Sequence, residues 1–307
     1  MCKVSVVINC YNGAEFLQET LDSVRNQTFQ DYEIVFIDNC STDSSADIAK
    51  AFGEKLKYFK TEKNIPLGFA RNYAIERCAG EFIAFLDSDD LWDKDKLKIQ
   101  VAQLEQYKEC VINIANNLVL NMMANTSEIV IRDRKTGFLE YDDFAINYKY
   151  GLSSVMIRTE SLKKMSKIFD TRLSYAEEFD MFLRLALLGK VYFDKSPLST
   201  YRLHDTMHSL KLKDTIPYEY GVVIENLVET LPEFSLIHPN VIKRIEFLRD
   251  YTDAKLCIEK GKLKKSHKLM KPYIKYNKRA LFFYILTVMP KPLVEAVYNI
   301  YFTKKTL

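Results

Sequence analysis

The sequence has no CxxC pair, and its six cysteines, Cys2, Cys10, Cys40, Cys78, Cys110 and Cys257, are scattered without any metal-ligand spacing. A zinc site has no framework here, and reduced cytosolic thiols are the expectation. There is no GxGxxG and no GxxxxGK[ST], which removes the main evidence for a dinucleotide dehydrogenase or a P-loop NTPase. The longest strongly apolar run, Ala280 to Met289, is about half of what a membrane span needs. Met1 to Lys3 runs straight into an apolar stretch, so no signal peptide is expected.

What is present is ordinary globular composition, 48% hydrophobic and 28% charged over 307 residues, enough for one large or two moderate cores. The net charge of +3 conceals an asymmetry. Residues 1–209 carry 26 basic and 31 acidic side chains, and residues 210–307 carry 18 and 10. Two parts with different partners follow: domain 1–209, and a basic, amphipathic helical region 210–307.

The first part is organised around FIAFLDSDDLW, Phe82 to Trp92. Phe82 to Leu86 reads as a short buried strand, with Asp87, Asp89 and Asp90 crowded at its C-terminal end. Like charges repel, and a hard cation such as Mg2+ or Mn2+ would relieve the crowding while leaving coordination positions for phosphate oxygens. A solvated turn capping the next helix is the plainer alternative.

Upstream, Val4 to Ile8 is a continuous apolar strand, Glu33 to Ile37 a second buried strand, and Leu56 to Phe59 a weaker one. Each leads through a polar turn into a helical pattern. Strand, turn and helix in alternation predict an α/β, doubly wound sheet, with the strand-end turns on one edge where ligands bind. Asn9 to Asn12, Asp38 to Asp43 and Asp87 to Asp90 therefore share a rim. It offers a tyrosine for stacking, amide and carboxylate groups, and an acidic cluster, a set suited to a nucleoside diphosphate.

Three stretches together, VSVVINCYNGAEFLQETLDSVRNQTFQDYEIVFIDNCSTD, NIPLGFARN and GEFIAFLDSDD, resemble the nucleotide-sugar-binding half of the inverting family 2 glycosyltransferases of bacterial surface-glycan type. The resemblance covers roughly residues 3–209. It implies the GT-A fold, a Rossmann-like, doubly wound mixed sheet with a mostly helical C-terminal subdomain. It also implies a nucleotide-sugar donor, typically a UDP-sugar, Mn2+ or Mg2+ at the DxD motif, and transfer with inversion to a glycan or lipid-linked acceptor.

Position by position, the resemblance puts Tyr11 on the base, Asp38 and Asn39 beside it, and Arg71 along the nucleotide pocket. Asp87 would meet ribose or metal, and Asp89 would be the principal metal ligand. Asn39 departs from the second acid usual there, which loosens the uridine preference, because an amide donates as well as accepts. EEFDMFLRLALLGK resembles the family's catalytic helix, making Glu178 the base, with Glu177 the rival. The family most often has Asp at the Glu178 position. Thr200 to Asp205 resembles a YRxH segment on a closing loop, with His204 on metal or phosphate and Arg202 offsetting leaving-group charge. Aromatic-rich Tyr141 to Tyr150 reads either as an acceptor groove or as ordinary packing.

Further strands are expected over Val111 to Leu120, Ile129 to Arg132 and Leu152 to Ile157, and a helix over Trp92 to Tyr107. Beyond Leu210, a lysine-rich stretch, Lys243 to Arg279, adjoins apolar segments. Leu293, Val294, Val297, Tyr298 and Tyr301 fall on one helical face. This predicts peripheral attachment to an anionic membrane surface, on the cytoplasmic face of the cell membrane, or a homodimer through these helices. No nucleic-acid partner is expected, since no recognition fold accompanies the charge. Two other functions compete: a catalytically silent nucleotide-sugar-binding protein, and a nucleotidyltransferase. The latter lacks a basic loop, because Asn9 to Ala14 has no Lys or Arg.

Overall fold

The computed structural model describes residues 2–205, 212–298 and 300. The chain divides into two compact units, Met1–Asp205 and Thr206–Leu307. The boundary expected at 209/210 lies outside the described residues, as does Tyr301.

In the first unit, β1 (Val4–Cys10), β2 (Tyr32–Asp38), β3 (Leu56–Lys60) and β4 (Phe82–Phe85) are joined through α1 (Ala14–Arg25), α2 (Ser45–Lys50) and α3 (Leu67–Ile75). Val4, Val6 and Ile8 of β1 meet Leu17, Leu21 and Val24 of α1, so a period of two on the strand packs against a period near 3.6 on the helix. Gly80 leads into β4 because nothing larger fits: a Cβ there would lie 2.4 Å from the Ser5 nitrogen.

After β4 come β5 (Leu91–Trp92), α4 (Lys96–Gln106), β6 (Cys110–Asn121), β7 (Thr126–Ile129), β8 (Gly137–Leu139) and α5 (Tyr141–Ile146). A short 3-10 turn, Leu152–Ser154, precedes β9 (Val155–Arg158) and α6 (Thr159–Leu162), and α7 (Glu177–Ala186) leads to β10 (Lys190–Leu203). The main sheet order is β3, β2, β1, β4, β9, β6, β10, β5, with β7 on β6 and β8 on β10.

The first four strands pair in parallel, whereas β9 runs antiparallel between β4 and β6. That restores β6 to the direction of β4, and β10 pairs parallel to β6. The C-terminal ends of β1, β2, β4 and β10 therefore reach the same edge. The sheet is mixed, as the GT-A resemblance implies.

Local differences from the expected elements have physical causes. Leu91–Trp92 is captured as β5 by Thr200 and Ser199 of β10, which delays the helix to Lys96. The strand expected at Ile129 to Arg132 lies earlier, because Leu118 of β6 pairs with Ile129 at the end of β7. Leu152–Ser154 is a turn and only Val155–Arg158 is strand. The 14-residue β10 has no clean alternation, since Pro197 sits between two register shifts. Tyr201 and Arg202 are therefore strand residues rather than part of a loop.

The second unit contains α8 (Ile216–Thr230), α9 (Phe234–Ile237), α10 (Pro239–Glu259), α11 (Leu263–Met270), α12 (Lys278–Leu286) and α13 (Lys291–Tyr298). Its core gathers Phe247, Met270, Tyr273, Phe283, Leu286, Val294 and Tyr298. Val294 and Tyr298 thus pack inward, while Leu293 is exposed. Among the described residues no helix is long and apolar enough to cross a membrane.

Candidate active site

The turns after β1 and β2 hold each other. Asn12 takes the left-handed conformation, φ 51°, that asparagine tolerates, and its Oδ1 accepts from the Thr42 N–H at 2.8 Å. In return Ser41 Oγ accepts the Asn12 N–H at 3.0 Å, and Asp43 accepts the Ala14 N–H at the start of α1 at 3.0 Å. This leaves Tyr11 exposed at the rim, 54% open and available to stack on a planar ligand.

Asp38 and Asn39, expected beside the base, are hydrogen-bonded within the fold. Asp38 is fully buried, accepting the Ser41 N–H at 2.7 Å and the Tyr58 hydroxyl at 2.5 Å. The Asn39 amide is also spent within the fold: Nδ2 donates to the Ile65 carbonyl at 2.7 Å and Oδ1 accepts the Ile65 N–H at 2.9 Å. A carboxylate cannot make that reciprocal pair, which gives the departure to asparagine a structural cause.

At the end of β4, three neighbouring acids have three environments. Asp90 is buried, accepting from Ser153 Oγ at 2.6 Å and from the Arg202 N–H at 3.1 Å, and so ties the turn to β10. Burial, with Asp87 and Asp89 beside it, pushes its carboxyl well above the usual range. Asp87 and Asp89 keep about a third of their side chains open, 39% and 34%. Burial also raises Asp87, opposed by Arg71 and reinforced by Asp89.

Arg71, brought in by α3, is buried between two carboxylates, 2.7 Å from Glu177 Oε1 and 3.2 Å from Asp87 Oδ1. It clamps the start of α7 to the end of β4 instead of lining an open pocket. Glu177 is likewise buried in this clamp. Glu178, one residue on, is only half-buried. Burial raises its carboxyl to about 8, with Arg71 pulling it down, Glu177 and Asp87 pushing it up, and the Leu152 N–H favouring the charged form. A carboxylate titrating near neutrality beside open acids is suited to general-base chemistry.

Arg202 and His204 diverge. The Arg202 guanidinium is buried against α1, donating to the Asp89 carbonyl, to Glu19, to Thr20 Oγ1 at 3.2 Å and to the Phe16 carbonyl at 3.4 Å. Its bond to the Asp89 carbonyl ties β10 to the end of β4. His204, just past β10, packs at a tilt with its ring 4.6 Å from that of Phe16 and sets Nε2 3.2 Å from Asp89 Oδ2.

Asp87, Asp89 and His204 are the donors available to a metal. No group of three or more ligating side chains closes on one point among the described residues. The contact among them is the 3.2 Å approach of His204 Nε2 to Asp89 Oδ2, and a hard divalent ion held by one or two such groups would draw its other ligands from phosphate and water.

Some contributors carry no sequence motif. Ser153 joins both acids, accepting the Asp87 N–H at 3.1 Å while donating to Asp90. Tyr148, within the aromatic stretch singled out above, packs 4.8 Å from Phe179, and its buried hydroxyl has no hydrogen-bond partner. Glu178 and Glu177 are the carboxylates acting on it most strongly. Its neighbours Asn147 and Lys149 line a cavity of about 870 Å3 along β7, with Arg132 and Lys135.

Among known proteins, an uncharacterized glycosyltransferase of Rickettsia typhi is 29% identical over 66% of this chain and 64% of the relative. The Bacillus subtilis protein TuaG, named for teichuronic acid biosynthesis, is 32% identical over 51% of this chain and 62% of its own length. The alignments thus span less than two thirds of these relatives. The fold is similar to that of S. aureus TarS residues 1–349, solved with UDP, at a TM-score of 0.65 and 20% identity, covering 95% of this chain and 82% of that one. A Pyrobaculum calidifontis mannosyltransferase solved with GDP-Man and Mn2+ matches at 0.59 and 14% identity, covering 98% and 87%. Residues 5–157, from β1 through most of β9, match the model described as glycosyl transferase family 2, and through that segment the chain belongs to this family.

Proposed function

We propose that the chain transfers a sugar from a nucleoside-diphosphate sugar, most simply a UDP-sugar, to a hydroxyl of a glycan or lipid-linked acceptor in cell-surface polysaccharide biosynthesis, with inversion at the anomeric carbon. The observation that carries this reading is the division of labour at α7: Glu177 is consumed by Arg71, while Glu178 stands half-buried with its carboxyl raised to about 8. In this reading Glu178 accepts the proton of the attacking hydroxyl. Arg71, Asp90 and Arg202 hold its surroundings still, and Tyr11 stacks on the base.

Asp89, with Asp87 and His204, would hold Mn2+ or Mg2+, which when bound would stabilise charge on the departing diphosphate. UDP bound to TarS and GDP-Man with Mn2+ bound to the mannosyltransferase support this donor class. The name of TuaG supports surface polysaccharide as the setting. The cavity lined by Arg132, Lys135, Asn147 and Lys149 is the proposed acceptor groove, and the basic second unit is proposed to rest on an anionic membrane surface.

The test is Glu178→Gln, assayed for transfer and for donor hydrolysis with Mn2+. Turnover should fall by about 100-fold or more with donor binding retained. Full activity in this variant, with loss in Glu177→Gln instead, would move the base by one residue. No turnover in wild type with retained binding would favour the silent binder.

A further inference from the structure

We propose that the second unit carries a phosphate-binding site at the start of α12, and that its occupant is the phosphate of an anionic lipid headgroup. A cavity of about 400 Å3 there is lined by Arg244, Phe247, Tyr276, Asn277, Lys278 and Arg279. It holds three cations and no carboxylate.

Some cations of this unit are paired, Lys213 with Glu259 and Lys260 with Asp214, both at 2.8 Å, and Lys265 with Asp253 at 2.9 Å. Arg244, Lys278 and Arg279 have no carboxylate partner among the described residues. The Arg244 Nε is buried without a hydrogen-bond partner, a state that protein interiors rarely leave unfilled. Burial and the charge of Arg279 both work against the Arg244 cation, so an anion between the two relieves a cost already present. The positive end of α12 adds to the same field, its first turn ordered by Asn277 Oδ1 accepting the N–H groups of Arg279 and Ala280.

The choice of a lipid over free phosphate rests on the adjoining surface. Tyr276 is 74% exposed, and Leu281, Ile285 and Val288, spaced by four and three residues, form an open apolar stripe leading away from the cations. The opposite side of α12 is satisfied, with Ala280, Phe283 and Leu286 in the core. Cations at one end and an apolar stripe beyond suit the boundary between headgroup and acyl chain. This gives the membrane association proposed above a defined site, and it rests on that reading.

The experiment is co-sedimentation of the full chain with phosphatidylcholine vesicles, with and without phosphatidylglycerol. Wild type is compared with Arg244→Gln/Arg279→Gln, with Lys278→Gln, and with a control, Lys264→Gln/Lys268→Gln, that removes equal charge from α11. The site pair should weaken binding to phosphatidylglycerol vesicles by about tenfold or more, and the control by about twofold. Lys278→Gln, exposed and harmless to folding, should also weaken it more than the control does. Equal losses in the site pair and control would overturn the site while leaving membrane attachment standing. Absence of wild-type binding to any vesicle would overturn the membrane reading. If about 10 mM inorganic phosphate then raised the melting temperature of wild type alone, the lipid assignment would fall in favour of free phosphate.

Discussion

Replacing Arg71 by methionine removes the cation between Asp87 and Glu177 while keeping most of the side chain's bulk. Both ends of the Arg71–Glu177 pair are nearly closed to solvent, 4% and 6% of the side chains exposed. Breaking a buried pair from one side costs about 3–5 kcal/mol, since the remaining charge is stranded. At roughly 2–4 °C per kcal/mol for a unit of this size, melting should drop by roughly 6–20 °C.

The loss should depend on pH. In the variant Glu177 would ionise in the fold only at a pH above its unfolded value, so the folded state would bind the extra proton and stability would fall as pH rises between the two values. The deficit against wild type should therefore be larger at pH 8 than at pH 5. Trp92, the sole tryptophan, is buried with its Nε1 2.7 Å from the Ser153 carbonyl, so its fluorescence follows unfolding of the first unit in urea. Arg71→Met/Glu177→Leu should recover most of the lost stability. An unchanged urea midpoint at pH 8, or a deficit identical at both pH values, would refute the clamp.

Further outcomes follow from the same geometry. The rate of transfer should climb as pH rises toward about 8, where Glu178 ionises, and Arg71→Met should move that limb upward because Arg71 favours the carboxylate. Asp89→Ala should abolish transfer and the metal dependence of nucleotide binding without unfolding the protein, and full activity in excess EDTA would defeat the metal assignment. Asn39→Asp should cost about 1–2 kcal/mol in urea unfolding, since the Ile65 carbonyl loses its donor; a change in nucleotide affinity with no change in stability would restore Asn39 as a base reader.

Much of the fold was legible because buried parallel strands write themselves as continuous apolar runs. Val4 to Ile8 and Glu33 to Ile37 needed no context to be read. The strand β10 was not legible, since Pro197 and two register shifts erase its alternation and its pairing with β6 is settled at long range. At the site, the sequence put Asp87 and Asp89 on one rim and the family resemblance singled out Glu178 and His204, but neither said which neighbours are open. Asp38, Arg71 and Arg202 have the composition of ligand-binding groups, and only tertiary partners reveal that Tyr58, Glu177 and Glu19 already occupy them.

That occupation bears on how a catalytic base can be built at a helix start. Two adjacent glutamates at the N-terminus of α7 meet the same dipole and nearly the same sequence context, so local physics cannot separate them. What separates them is one arginine arriving from α3. By pairing with Glu177 at 2.7 Å it fixes that carboxylate in place, and Glu177 in turn pushes the Glu178 carboxyl up. The acid that is clamped therefore tunes the acid that is open, and neither function is readable from Glu177-Glu178 alone. Glu177→Gln should then lower the pH at which Glu178 ionises even though Glu177 is not the proposed base. A measured limb that stays at the wild-type pH in this variant would show that burial alone sets the Glu178 carboxyl.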